Sequence, residues 1–322
     1  MTGFELILPF LRPIAHLIQD PAVTEIMVNG SRRVFVERDG MVEPVDGVEL
    51  EERHLTVAVR NIARALGDDI SEEKPILDAR LPDGSRVAAV CPPCSVGGTT
   101  LTIRKFQARW FSPPELVRNG TVTPEALDLI REAVRRNRSL LISGGTATGK
   151  TTVLSALTTY FPPRDRVVLI EETAEVHVEL PNVVRFEARR EQGHVPAVTM
   201  RDLLRATLRH RPDRIVVGEI RGGEAFELLQ ALNTGHAGSM STIHANSPED
   251  ALARLTGCVL QSGVELPYAA VRRQIAGAVG VVLHLERQQG RRRLTALIEV
   301  QGYDTARDEF RTHRHELPAG GT

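Results

Sequence analysis

One stretch constrains this chain more than any other: Gly144-Gly145-Thr146-Ala147-Thr148-Gly149-Lys150-Thr151-Thr152. It follows the apolar run Leu140-Leu141-Ile142 and leads into Val153-Leu154-Ser155-Ala156-Leu157, which holds neither glycine nor proline. That order reads as strand, glycine-rich loop and helix, the context a phosphate-binding loop needs. Glycines let the backbone bend until successive N–H groups point at one anion. The open amides and positive dipole end of the following helix favour the same negative charge. Lys150 is expected to reach the β- and γ-phosphates, and the Thr151 hydroxyl to take one position on Mg²⁺. A chance match of this kind occurs in about one chain of this length in a hundred. The chain is therefore expected to bind a nucleoside triphosphate.

The 322 residues leave room for two domains of ordinary size. No apolar run approaches membrane-spanning length, and the first residues lack the order of a signal peptide. Phe4 to Leu11 is apolar but broken by Glu5 and Pro9, and reads as a short packed helix or strand. A formal net charge of −1 supplies no general excess of positive charge for nucleic acid, so no stable nucleic-acid partner is expected. Arg131, Arg135, Arg136 and Arg138, and the run Arg291-Arg292-Arg293, read as solvated faces or turns. Three cysteines, one necessarily unpaired, fit a reducing compartment, and Cys91-Pro92-Pro93-Cys94 reads as a rigid turn. A cytoplasmic location follows as the expectation.

Taken in order, Thr24 to Gly30 alternates and ends on an Asn-Gly turn, Arg33 to Glu37 returns, and Asp39-Gly40 marks a second turn. Glu51 to Leu66 carries the helical stripe Leu55, Val59, Ile62, Ala63 and Leu66, closed by Gly67. Strands are expected at Arg86 to Val90 and Thr99 to Arg104, which makes residues 1–106 a small α+β domain. Residues 107–123, with Pro113-Pro114 and Asn119-Gly120, read as a linker. In residues 124–322 strands and helices alternate after a helix capped by Thr123. Strands at Arg166 to Ile170, Arg214 to Gly218 and Ser239 to Ile243 are apolar enough for a buried parallel sheet. Helices are expected at Thr199 to Arg209, Gly223 to Leu232, Pro248 to Leu260 and Pro267 to Ala278, with antiparallel strands from Val279 to about Phe310. The fold class is α/β: a parallel nucleotide-binding sheet behind a small N-terminal domain.

Three points sit at expected strand ends, where ligands gather in parallel sheets. They are Glu171-Glu172 after Ile170, Glu219 after Gly218, and His236 with His244 flanking the strand 239–243. Hydrolysis of a triphosphate needs charge neutralised, an attacking water oriented, and cations for the developing charge. A carboxylate at a strand end beside the loop can orient water or hold metal-bound water.

These segments resemble those of one family. Ile170-Glu171-Glu172-Thr173-Ala174-Glu175 looks like the acidic box of secretion and pilus ATPases. Pro212-Asp213-Arg214-Ile215-Val216-Val217-Gly218-Glu219-Ile220-Arg221 is similar to their variant Walker B segment, in which glycine and glutamate replace the usual terminal aspartate. Thr234 to Ala245 resembles their histidine box. Val23 to Gly30 and Leu81-Pro82-Asp83-Gly84-Ser85-Arg86, through Leu101 to Lys105, look like their N-terminal domain. The resemblance covers nearly the whole chain and points to the VirB11-like type II/IV secretion ATPases, on the side of the TadA/CpaF and TrbB branches.

That resemblance implies a RecA-like P-loop domain behind a PAS-like N-terminal domain, with ATP and Mg²⁺ as cofactors. It implies that Lys150 and Thr151 bind phosphate and metal, that Glu171 orients water, and that Glu219 supports Mg²⁺ and hydrolysis. It further implies that His244 senses the γ-phosphate, that His236 couples that sensing to neighbouring segments, and that Arg86 and Arg104 complete the site, with Arg221 a weaker candidate. Glu172 stands where many relatives carry aspartate and is not assigned to metal. A hexameric ring working at the cytoplasmic side of the inner membrane on a secretion or pilus platform is the implied partnership. A DNA-translocating motor of related fold and a nucleotide-gated scaffold are the alternatives. Only 4% aromatic residues argue against the former.

Overall fold

The computed structural model describes residues 3–38, 40–106, 110–189, 191, 195–288 and 290–317. Asp39 of the second expected turn and residues 107–109 of the expected linker lie outside them. The chain forms two compact units, divided between Arg109 and Trp110.

In the first unit, 3₁₀ turns at Gly3–Leu6, Leu8–Phe10 and Arg12–Ile14 run into helix α1 (Ala15–Gln19). They bury Ile7, Leu11 and Ile14, so the apolar start of the chain is packed as helix. Strands β1 (Val23–Asn29), β2 (Val34–Arg38) and β3 (Met41–Val45) form the meander; helix α2 (Glu52–Ala65) follows, then β4 (Ile76–Arg80), β5 (Arg86–Val90) and β6 (Thr100–Arg104). The sheet is antiparallel, in the order β3-β2-β1-β6-β5-β4. Its inner face carries Ile26, Val28, Val87, Ala89, Leu101 and Ile103 against Leu55, Val59 and Ile62 of α2. Two-residue alternation turns every second side chain of these strands the other way. On that outer face stand Arg86 and Arg104.

The second unit begins sooner than a linker reading of 107–123 allows. Helix α3 occupies Pro113–Arg118, and a reciprocal capping box between Ser112 and Glu115 closes its first turn. The proline pair, expected to break the chain, instead occupies the first helical positions, where the missing N–H costs nothing and the fixed φ suits a helix. Leu116 and Val122 are buried in the core of this unit.

There follow α4 (Pro124–Arg135), β7 (Leu140–Gly144), α5 (Lys150–Thr158), β8 (Val167–Glu171), β9 (Val183–Glu187), α6 (Met200–Thr207) and β10 (Arg214–Ile220). The remainder is α7 (Glu224–Asn233), β11 (Met240–His244), α8 (Pro248–Leu260), α9 (Tyr268–Ala278), β12 (Val281–Gln288), β13 (Arg291–Asp304) and β14 (Glu309–His315). Thr123 caps α4 as expected, its hydroxyl accepting the Ala126 N–H at 3.2 Å. On the exposed face of α4, Arg131 pairs with Asp128, and Arg135 and Arg136 share Glu132.

The strands lie in the order β14-β13-β12-β7-β11-β10-β8-β9. Those from β12 to β9 run parallel, and β13 and β14 add antiparallel. The expected all-antiparallel tail is thus corrected. β12 joins β7 in parallel because α8 and α9 carry the chain back over one face, and Val281-Val282-Leu283 reads like its neighbours: apolar on both sides. Helices α6 to α9 cover one face of the sheet and α3 to α5 the other. Two strands escaped the sequence reading, β4 and β9. Each is an outermost strand with mixed polar composition, where the apolar signal of burial is weakest.

Candidate functional site

Strand register decides which residues meet. Gly144 of β7 stands opposite His244 of β11, and Val217 of β10 opposite Ile170 of β8. The carboxyl ends of β7, β11, β10 and β8 therefore form one edge carrying the glycine-rich loop, His244, Glu219 and Glu171. Strands about 4.8 Å apart put β8 roughly 14 Å from the strand that feeds the loop.

The loop is tightly specified. A Cβ on Gly144 would lie 2.4 Å from the Leu285 carbonyl oxygen of β12, so nothing larger fits. Gly149 precedes α5 with φ +89°, a left-handed conformation that suits glycine. The Thr148 hydroxyl donates to the Gly145 carbonyl at 2.9 Å. Lys150 folds back, its Nζ 3.0 Å from the Gly144 carbonyl and 2.7 Å from that of Gly145. A cation is thus held at the mouth of the loop. Gly149 gives α5 no capping side chain, which suits a helix start that receives an anion. Thr151 and Thr152 lie half-buried in that first turn.

Glu171 ends β8 and is only 3% exposed. Its Oε1 accepts the N–H groups of Glu175 and Val176, both at 2.8 Å. Burial pushes its carboxyl up to about 7, with the two amides opposing; Glu175 adds to the rise and Arg185 resists it. Gly218 makes the room: a Cβ there would sit 3.1 Å from Glu171 Cγ. A proton acceptor poised near neutrality, one oxygen anchored, is what general-base chemistry asks for.

Glu219 does not follow its strand but lies within it, since β10 continues to Ile220 past an irregularity in its pairing with β11. The Thr242 hydroxyl donates to the Gly218 carbonyl at 2.6 Å across that irregularity. Arg221 donates its Nε–H to Glu219 Oε2 at 2.6 Å and also pairs with Glu172. Glu172 is therefore spoken for by an arginine, and so in part is Glu219.

His236 is not brought to this edge. It precedes β11, and the strand that separates it from His244 spans about 13 Å at ~3.3 Å per residue. Its backbone N–H donates to the Ala231 carbonyl at 3.2 Å, and its Nδ1 lies 3.1 Å from the same oxygen. Nearby, the Ser239 hydroxyl donates to its carbonyl at 2.8 Å. The two histidines thus stand at opposite ends of β11, His244 beside the glycine-rich loop and His236 a strand's length away.

In the first unit, Arg86 and Arg104 are direct cross-strand partners. Arg80, which sequence reasoning passed over, stands opposite Arg86, and Glu25 opposite Arg104. Like charges directly opposite one another disfavour a sheet, and Glu25 at the end of this row offsets part of the charge of the three arginines. Burial raises the Glu25 carboxyl, Arg104 draws it down, and Glu37 raises it.

Two further arginines were missed. Arg185 of β9 donates to the Val176 and Val178 carbonyls at 2.8 and 3.2 Å, pinning the segment that anchors Glu171. Arg292 of β13 reaches the glycine-rich loop itself, donating Nε–H to the Ala147 carbonyl at 3.2 Å. A usable signal existed for the second. Arg292 lies two residues before the buried Leu294, so strand alternation turns it to the face that α5 covers.

A profile of the family described as type II/IV secretion system proteins matches residues 11–315. The conjugal transfer protein TrbB of Rhizobium radiobacter is 34% identical over 290 residues, covering 89% of this chain and 86% of its own length. The type IV secretion system protein VirB11 of Brucella suis is 33% identical over 305 residues, covering 85% and 84%. Among solved structures, the Legionella pneumophila ATPase DotB shares the fold with a TM-score of 0.60 at 20% identity, covering 96% of this chain and 80% of that one. Among the described residues no helix is long and apolar enough to cross a membrane.

Proposed function

The chain belongs to the type II/IV secretion system protein family, and we propose that it is an ATP-hydrolysing motor for secretion or conjugative transfer. The observation that carries this reading is the assembly at one sheet edge of an open helix start, a tethered ammonium group, and two carboxylates at different depths. We read the second unit as a RecA-like P-loop domain and the first as PAS-like.

In this reading the amides of residues 145–150 and Lys150 grip the β- and γ-phosphates. Thr151 and Glu219 would hold Mg²⁺, which supplies charge neutralisation when bound. The donor set fits: one hydroxyl and one carboxylate suit an ion that keeps most of its water and shares phosphate oxygens. Arg221 would release Glu219 to serve there. Glu171, with one oxygen anchored by the amides of residues 175 and 176, takes the proton of the attacking water through the other. His244, beside Gly144, reports whether the γ-phosphate is present. Arg86 and Arg104 add positive charge to the site, and the free energy of hydrolysis is converted into work. Copies of the chain form a hexameric ring at the cytoplasmic face of the inner membrane, against a secretion or pilus platform.

The test is calorimetric titration of the full chain with ATP and a non-hydrolysable analogue in magnesium, alongside measurement of phosphate release. Saturable uptake with turnover above background is expected. Absence of any uptake would overturn the reading.

A further inference from the structure

Arg291-Arg292-Arg293 reads from sequence as a basic turn, yet the middle residue touches the phosphate loop. From this geometry we propose that Arg292 is a positioning residue for nucleotide, acting through Ala147. The inference rests on the phosphate-loop reading given above.

Ala147 adopts φ +57°. That is the left-handed region, where a side chain beyond glycine crowds the following carbonyl. A loop that must present its amides inward needs this turn, and with alanine there the conformation must be held from outside. Arg292 does the holding: its Nε–H reaches the Ala147 carbonyl at 3.2 Å. Its side chain lies against the next bend as well, since a Cβ on Gly149 would come 3.2 Å from Arg292 Cδ. The contact is reinforced from the same hairpin. Leu285 of β12, cross-strand partner of Leu294, presents the carbonyl on which Gly144 is seated. Strands β12 and β13 therefore grip the loop at Gly144, at Ala147 and at Gly149, and only the Arg292 grip uses a side chain that can be removed without touching the loop. The donor is charged and the acceptor neutral, a pairing stronger than an ordinary amide bond.

The consequence is a specific coupling. If Arg292 works by holding Ala147 left-handed, its value falls when residue 147 adopts that conformation unaided, as glycine does. The experiment is a double-mutant cycle with R292A and A147G in the full chain, read as the calorimetric Kd for ADP, with melting temperature recorded without nucleotide. R292A is expected to weaken ADP binding about five- to tenfold in the native background, and by less than about twofold when A147G is present. R292K, which keeps the charge but lacks the Nε–H donor, is expected to recover only part of the loss. Unchanged affinity in R292A overturns the proposal, whether or not the melting temperature falls. So does an equal loss in both backgrounds, which would make Arg292 a plain contributor of charge. Wild-type protein that takes up no ADP at all would sink the phosphate-loop reading first, and this inference with it.

Discussion

The two edges of the parallel sheet are built from the same strands and on opposite terms. At the amino-terminal edge Arg214, 3% exposed, donates to Asp165 at 2.7 Å and to the Gly238 carbonyl at 2.9 Å, and also binds Asn137. Its guanidinium lies 4.6 Å from the Phe161 ring centre. Residues preceding β7, β8 and β11 are thus tied by one buried cation to the start of β10. At the carboxyl-terminal edge the charges are exposed to different degrees, share partners, and meet where the pairing of β10 with β11 is irregular. Arg221 divides itself between Glu172 and Glu219, and Lys150 rests on carbonyls it can leave. One edge closes the fold. The other is held open to rearrangement, and it is there that we place the chemistry.

Removing the central cation of each edge separates them most sharply. Lys150→Ala is expected to cut ATP turnover about 10³-fold with an unchanged melting temperature. Arg214→Ala should cost about 3–5 kcal/mol of stability, because Asp165 is left without its counter-charge, while any protein that stays folded keeps its affinity for ATP. Loss of turnover in the second and of stability in the first would reverse the comparison.

Glu171 gives the next largest effect. With its carboxyl raised from 4.5 to about 7, the folded state holds that proton more tightly than the unfolded chain. The resulting stabilisation is fully present below about pH 4.5 and is lost as pH rises through about 7. Activity runs the other way, since a general base must be ionised: the rate should climb through the same interval. Glu171→Gln is expected to lower turnover about 10²-fold and to flatten the melting temperature between pH 5 and 8. A pH–stability curve identical to wild type would show that the environment of Glu171 is not what its burial implies.

Smallest is Ser112→Ala, expected to cost about 1 kcal/mol by removing the cap of α3, with no change at either edge. A loss of ATP affinity there would mean that α3 reaches the site.

Local signals carried most of this arrangement. The run Leu140 to Ile142, the glycines after it, and the apolar strands ending at Ile170 and Gly218 each announce themselves within a few residues. What stayed hidden depends on distance along an element or on register between elements. His236 and His244 bracket one strand in the sequence, and only its extended length puts them at opposite edges. Arg80 joins Arg86 and Arg104 through a hairpin pairing that no single strand displays. Residues 112–118 misled because two prolines break most structures but begin helices. Family resemblance supplied roles for Glu171 and Glu219, whereas the partnership of Glu219 with Arg221 required the folded chain.

The eight-stranded sheet finishes on one side with β14, Glu-Phe-Arg-Thr-His-Arg-His, and on the other with β9, Val-Val-Arg-Phe-Glu. Charged outermost strands resist the addition of another backbone. At these two edges a ladder continued from molecule to molecule is disfavoured, whereas β3 at the edge of the other sheet leaves Met41 and Val42 exposed.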